Sequence, residues 1–116
     1  MAELDCIFCK IVSGELPAQK IHQDELVTAF RDIHPLAPVH ILIIPNKHLP
    51  NMNDLHPEHA AIAARMLIVV PELARQEGIA DGGYRLILNT GVDANQVVMH
   101  VHMHMLGGAR MQYPMG

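Results

Sequence analysis

The segment best equipped for chemistry is His100-Val-His-Met-His-Met-Leu106. Its strict alternation predicts a strand in which the three imidazoles share one face at about 6–7 Å spacing, while Val101, Met103 and Met105 face the core. Three solvent-facing histidines on an ordinary strand are a poor alternative, because like side chains in a row repel once protonated. Neutral imidazole, with an ordinary pKa of about 6.5, can act as nucleophile, proton carrier or metal ligand near neutrality. A His-x-His pair can also converge on zinc, so covalent catalysis and metal binding are both open. Cys6 and Cys9 are the two cysteines of the chain. Cys-x-x-Cys reads as metal-binding or redox-active, with two packed reduced thiols as the plain alternative. A thioredoxin-type motif would follow a strand in a βαβ unit, and this pair does not.

These groups need a scaffold. The chain has 116 residues, half of them hydrophobic and 17% charged, which predicts one domain over 1–116 without linker or repeat. With two Phe, two Tyr and no Trp, the core must be aliphatic and rich in Met. Lys and Arg number 8 against 12 acidic residues, and no basic tract stands out, so binding to a nucleic-acid backbone is disfavoured. No apolar run approaches the roughly 20 residues of a membrane span, and the acidic start lacks the features of a secretory signal. A cytoplasmic protein without membrane or nucleic-acid partners is expected.

Cys6 to Val12 predicts a short helix stopped by a left-handed Gly14. Lys20 to His22 and Leu26 to Arg31 predict a hairpin. Val39 to Pro45, β-branched and flanked by prolines, predicts a central strand buried on both faces. Pro57 to Glu77 predicts a long helix, with Gly78 as stop and a kink at Pro71. Tyr84 to Asn89 and Val97 to Leu106 predict the last two strands. The sum is an α+β domain, an antiparallel sheet of about five strands with one long and one short helix. The long helix is apolar almost all round and needs cover on two sides, which predicts an isologous homodimer with Met66 and Val69 in its interface.

The chain resembles the histidine triad family, in its Hint branch. The resemblance rests on the triad, on Cys6-Ile-Phe-Cys-Lys-Ile-Val12 with Gly14-Glu-Leu-Pro17, on Ala29-Phe-Arg-Asp-Ile33, on Ala37 to Pro45 and on Leu106-Gly-Gly108. It implies a protomer whose sheet continues across a homodimer, and hydrolysis of purine nucleoside 5′-phosphoramidates such as AMP joined to an amine or lysine. The middle histidine, His102, would be the nucleophile of a nucleotidyl-histidine intermediate. His104 would contact phosphate oxygens, with His40 completing a proton relay and His100 as the first triad member. A lone His40 at the start of an aliphatic strand otherwise reads as a packed residue.

The resemblance further assigns Asp32 to the ribose hydroxyls, Asn89 and Gln96 to the phosphate region, and Ile7, Phe8, Ile11, Phe30, Ile33 and Leu42 to the base slot. Without it, the apolar six would be core and Asn89 a turn residue. In bacterial members with this cysteine pair, Cys6, Cys9, His48 and His100 would bind a structural zinc, and the chemistry itself needs no cofactor. Two departures stand out. Val97 replaces a polar residue that would reach phosphate, and Tyr113 stands where a tail aromatic, often Trp, reaches the partner's site. Rival readings are a dinucleoside polyphosphate hydrolase or nucleotidyl transferase of the same fold, and a nucleotide-binding module with vestigial activity. A Gln in place of the last triad histidine would mark the first rival; His104 argues against it.

Overall fold

The structure, a computed structural model, describes residues 5–112, so Tyr113 lies outside the described residues. Helix α1, Ile7–Ser13, is capped by Cys6, whose sulfur accepts the Cys9 N–H. It ends at Gly14, whose φ of +85° places it in the left-handed region open to glycine, and the Gly14 N–H donates to the Ile11 carbonyl. Strands β1, Lys20–Gln23, and β2, Val27–Arg31, form a hairpin. Asp24 closes it by accepting the Leu26 and Val27 N–H groups on Oδ1. The other oxygen of Asp24 meets His22 and Arg65, tying the hairpin to the long helix. Burial raises the Asp24 pKa, but the four hydrogen-bonding partners outweigh it and hold the carboxyl well below the usual carboxylate range.

Strand β3, Val39–Pro45, is central in the sheet order β1-β2-β3-β5-β4, in which all pairs are antiparallel. Its unbroken apolar run is explained by cover on both faces. Ile41 and Ile43 join Val27, Ala29, Met103 and Met105 beneath helix α2, Ala60–Gln76, which contributes Met66, Val69, Val70, Leu73 and Ala74. Leu42 and Ile44 face the opposite way and pack with Phe30, Phe8 and Ile11 beneath α1. One strand therefore separates two small cores.

The structure departs from the sequence pattern at several points. The long helix starts at Ala60, because Pro57–His59 forms a turn of 3-10 helix before it. As expected, Pro71 lies inside the long helix, which runs on to Gln76 before Gly78 at φ +73°. Met66 and Val69, 6% and 1% exposed, are buried in the core of this chain and are not available as interface residues. The exposed large hydrophobic residues of α2 are Leu67 and Ile68. Strand β4, Tyr84–Leu88, is the sheet edge and leaves Tyr84, Leu86 and Leu88 exposed on alternate positions.

The last strand, β5, spans Met103–Gly107 rather than starting at Val97. The reason is that the N–H groups before it find partners off the ladder: His100 donates to the Val98 carbonyl and Val101 to the Leu49 carbonyl. The facial alternation nevertheless continues upstream, since Val101 shares the α2 core while Phe8 touches the rings of His100 and His102. After β5, Gly108 has φ +91°, and a Cβ there would come within 2.9 Å of the Pro38 Cβ, so only glycine fits. No helix among the described residues is long and apolar enough to cross a membrane.

Candidate active site and thiol-histidine cluster

Three strand ends and one helix N-terminus meet here. The register places Leu42 opposite His104 and His40 opposite Leu106, so the two histidines lie on adjacent strands on the α1 side of the sheet. His40 Nε2 and His104 Nδ1 are 2.9 Å apart. Which of them donates is decided one residue further back. The Leu36 N–H donates to His40 Nδ1 at 3.0 Å, so that nitrogen carries the lone pair and the proton of neutral His40 sits on Nε2. His40 therefore donates to His104 Nδ1, which leaves the His104 proton on Nε2 as a donor available to a ligand.

His102 is set by a different group. Its Nδ1 lies 2.8 Å from the His100 carbonyl oxygen, which can only accept, so Nδ1 bears the proton and Nε2 keeps its lone pair. The rings of His102 and His104 stand 5.1 Å apart at 66°. A lone pair and an N–H thus sit side by side, the pairing needed to attack an electrophile while stabilising the charge that develops on it. The electrostatics favour the neutral forms of His104 and His40. Burial first, and then the neighbouring His102 and His40, push the His104 pKa down to about 4. Burial also lowers that of His40, against the opposing charge of Asp32.

Asp32 sits at the edge of this pair. One oxygen accepts the His34 N–H and the other lies 3.4 Å from His40 Nε2. Asp32, His40 and His104 converge closely enough to resemble a metal site. The tautomers argue otherwise: a metal would need the lone pair of His40 Nε2, yet the Leu36 N–H already occupies the lone pair of Nδ1, and a neutral imidazole has only one. This trio is a hydrogen-bond relay.

The opposite holds for Cys6, Cys9, His48 and His100, which form a second converging cluster. His100 Nε2 donates to the Pro45 carbonyl at 2.8 Å, so its Nδ1 lone pair is free. That atom faces Cys6 Sγ at 3.3 Å, Cys9 Sγ at 3.6 Å and His48 Nδ1 at 3.3 Å, and Cys9 Sγ is 3.3 Å from His48 Nδ1. A tetrahedral ion with bonds of about 2.0–2.1 Å to nitrogen and about 2.3 Å to sulfur spaces its donors about 3.3–3.8 Å apart, and these distances fall in that span. Neither cysteine is engaged in a disulfide. A cavity of about 450 Å³, lined by Asp5, Cys6, Ile7, His48, Val97 and Met99 among others, opens onto the cluster and offers an entry path. Burial, more than the nearby histidines, lowers the His100 pKa to about 4, which keeps a ligating nitrogen unprotonated.

The remaining candidates are divided. Phe8, Ile11, Phe30 and Leu42 come together as the buried core beneath α1, while Ile7 and Ile33 are exposed. Asn89 follows β4 and is half-buried. Gln96 is buried and its amide is fully engaged as a loop brace: it donates to the Pro50 and Val98 carbonyls and accepts from the Gly91 N–H. Val97 is 87% exposed. The backbone groups of Leu36, Pro45 and His100, which fix the three tautomers, could not be found from sequence, because a backbone N–H or carbonyl carries no residue signature. The edge-on contacts of Phe8 with His100 and His102, at 5.9 and 5.1 Å between ring centres, were likewise hidden.

The HIT domain matches residues 13–111 of this chain. The purine nucleoside phosphoramidase of Escherichia coli (strain K12) is 55% identical over 108 residues, which cover 93% of this chain and 90% of the relative. Among solved structures, a HIT family hydrolase from Legionella pneumophila Philadelphia 1 superimposes with a TM-score of 0.92 at 45% identity, over 97% of this chain and all of that one. A histidine triad protein from Clostridium difficile does so with a TM-score of 0.91 at 39% identity, over 95% and 96% of the two chains. With the HIT domain spanning most of it and these proteins matching nearly its whole length and fold, the chain belongs to the histidine triad family.

Proposed function

We propose that this protein hydrolyses purine nucleoside 5′-phosphoramidates, releasing the nucleoside monophosphate and an amine, with His102 as the nucleophile. The observation that carries the reading is the tautomer pair: Nε2 of His102 is left with a lone pair by the bond from Nδ1 to the His100 carbonyl, beside the Nε2 proton of His104. The 55% identical relative named purine nucleoside phosphoramidase supports the substrate class.

In the first half-reaction Nε2 of His102 bonds to the α-phosphorus, and the bond from phosphorus to the amine nitrogen breaks as that nitrogen takes up a proton from solvent. The positive charge on the imidazole is shared through Nδ1–H with the His100 carbonyl, and His104 donates to a phosphoryl oxygen. In the second half water attacks phosphorus and the P–N bond to His102 breaks. One water is split over the cycle: its oxygen joins phosphorus, and one of its protons replaces that taken up by the amine. Two displacements with a labile intermediate replace one difficult displacement. Asp32 would meet the ribose hydroxyls, Asn89 the phosphate, and Ile7, Ile33 and the rim of the α1 core the base.

Cys6, Cys9, His48 and His100 would hold zinc, which would serve structurally by tying α1 to the segment before β5. A cytoplasmic homodimer completes the reading. The exposed β4 edge would pair with its copy so that the sheet continues, and the exposed Leu67 and Ile68 of α2 would add apolar cover. The decisive experiment is denaturing mass spectrometry during turnover of an adenosine 5′-phosphoramidate. The wild type should show an AMP adduct that maps to His102. His102→Ala should show neither adduct nor turnover while still binding AMP, and near-normal turnover by that variant would overturn the mechanism.

A further inference from the structure

His102 acts as a nucleophile only if its proton stays on Nδ1, and among the described residues a single acceptor holds it there, the His100 carbonyl. That peptide is not held by the sheet, whose ladder begins at Met103. It is held from three sides. The Val101 N–H donates to the Leu49 carbonyl at 2.7 Å. The His100 ring donates through Nε2 to Pro45. The same ring, fully buried, presents Nδ1 to Cys6, Cys9 and His48. Cys6 and Cys9 also bracket Phe8 on α1, whose ring edge rests on both His100 and His102.

We infer that Cys6, Cys9 and His48 are positioning residues for the reaction, acting through His100 on the tautomer and orientation of His102. The inference rests on the assignment of His102 as nucleophile. When the cluster loses its thiols or its ion, nothing fixes the Nδ1 side of the His100 ring. The ring and its peptide can then rotate, and the carbonyl moves off the line of His102 Nδ1–H. The proton of His102 becomes free to sit on either nitrogen, and Nε2 loses its lone pair in part of the population. A misplacement of about 1 Å at a reacting group costs on the order of a hundredfold in rate. Asp32 lies outside this chain of contacts, and the substitutions leave Phe8, Ile11, Phe30 and Leu42 of the α1 core in place, so ground-state binding should persist.

The test compares wild type, a Cys6→Ser/Cys9→Ser double variant, His48→Ala and the conservative His48→Cys, which keeps a donor in the fourth position. Metal-chelated wild type is a further arm. Nitrogen-15 NMR of histidine-labelled protein reads which nitrogen of His102 bears the proton, and single-turnover kinetics read the rate of nucleotidylation. Disruption should convert His102 from the Nδ1–H form to a mixture and slow nucleotidylation about a hundredfold, with KM within about threefold, and His48→Cys should restore both. Folded disrupted protein that keeps the Nδ1–H tautomer and the wild-type rate would overturn the inference. If the double variant does not fold, His48→Ala and the chelated wild type decide the question by the same readouts. If His102→Ala still forms an adduct, the nucleophile has been misassigned, whereas the tautomer measurement still reports on the coupling by itself.

Discussion

His40 offers a way to separate the two bonds of the relay. It is 4% exposed, accepts the Leu36 N–H at Nδ1 and donates from Nε2 to His104. An asparagine amide reaches the place of Nδ1, and a glutamine amide reaches the place of Nε2. His40→Asn can therefore keep the Leu36 bond but loses the donor to His104. His40→Gln keeps the donor to His104 but leaves the Leu36 N–H unpaired. Each variant forfeits one buried hydrogen bond and strands one partner, a loss of about 1–3 kcal/mol, so their stabilities should fall by similar amounts in urea titrations. Their activities should part. In His40→Asn the His104 proton can move to Nδ1, turning Nε2 into an acceptor that faces the phosphoryl oxygens. The lost donor is worth about a hundredfold in rate. His40→Gln keeps the donor and should stay within about tenfold of wild type in release of AMP from an adenosine phosphoramidate. Equal stabilities with His40→Asn as active as His40→Gln, or more so, would refute the relay as drawn.

Acid should weaken the fold from the histidine side. His104 and His40 are held below the ordinary 6.5, so the unfolded chain takes up protons first, and stability should fall as pH drops from about 6.5 through about 4. A denaturant midpoint that stays flat between pH 7 and pH 5 would contradict this. Protein purified without added metal should carry about one zinc per chain by elemental analysis, and finding none under reducing conditions would remove the metal assignment. In light scattering the particle should have near twice the 12.8 kDa chain mass, and Ile68→Asp or Leu88→Asp should shift it to monomer, since these side chains are 62% and 41% exposed. A monodisperse, fully active wild-type monomer would exclude the interface. Cutting the bidentate link from Arg31 to Glu77 with Glu77→Gln should cost up to about 1 kcal/mol in urea titration, the modest value of a partly exposed pair, and leave turnover unchanged.

Periodicity and punctuation alone determined most of the architecture. Strand β3 could be read residue for residue because prolines bracket a run that only a doubly covered strand tolerates, and Gly14 and Gly78 marked helix ends because few other residues adopt positive φ. The reactive types were also legible: histidine and cysteine are few in kind, and alternation alone put His100, His102 and His104 on one face. Tertiary structure decided what each of them does. Three like imidazoles in sequence became a cluster member, a lone-pair donor and an N–H donor because different groups met their nitrogens: Pro45 and the thiols at His100, the His100 carbonyl at His102, and His40 at His104. The strand prediction from Val97 failed for a related reason, since the backbone N–H of Val101 found the Leu49 carbonyl instead of a ladder partner. A local pattern specifies which way a side chain faces. The proton it carries depends on partners as many as 94 residues away, which only the folded chain brings within hydrogen-bonding distance.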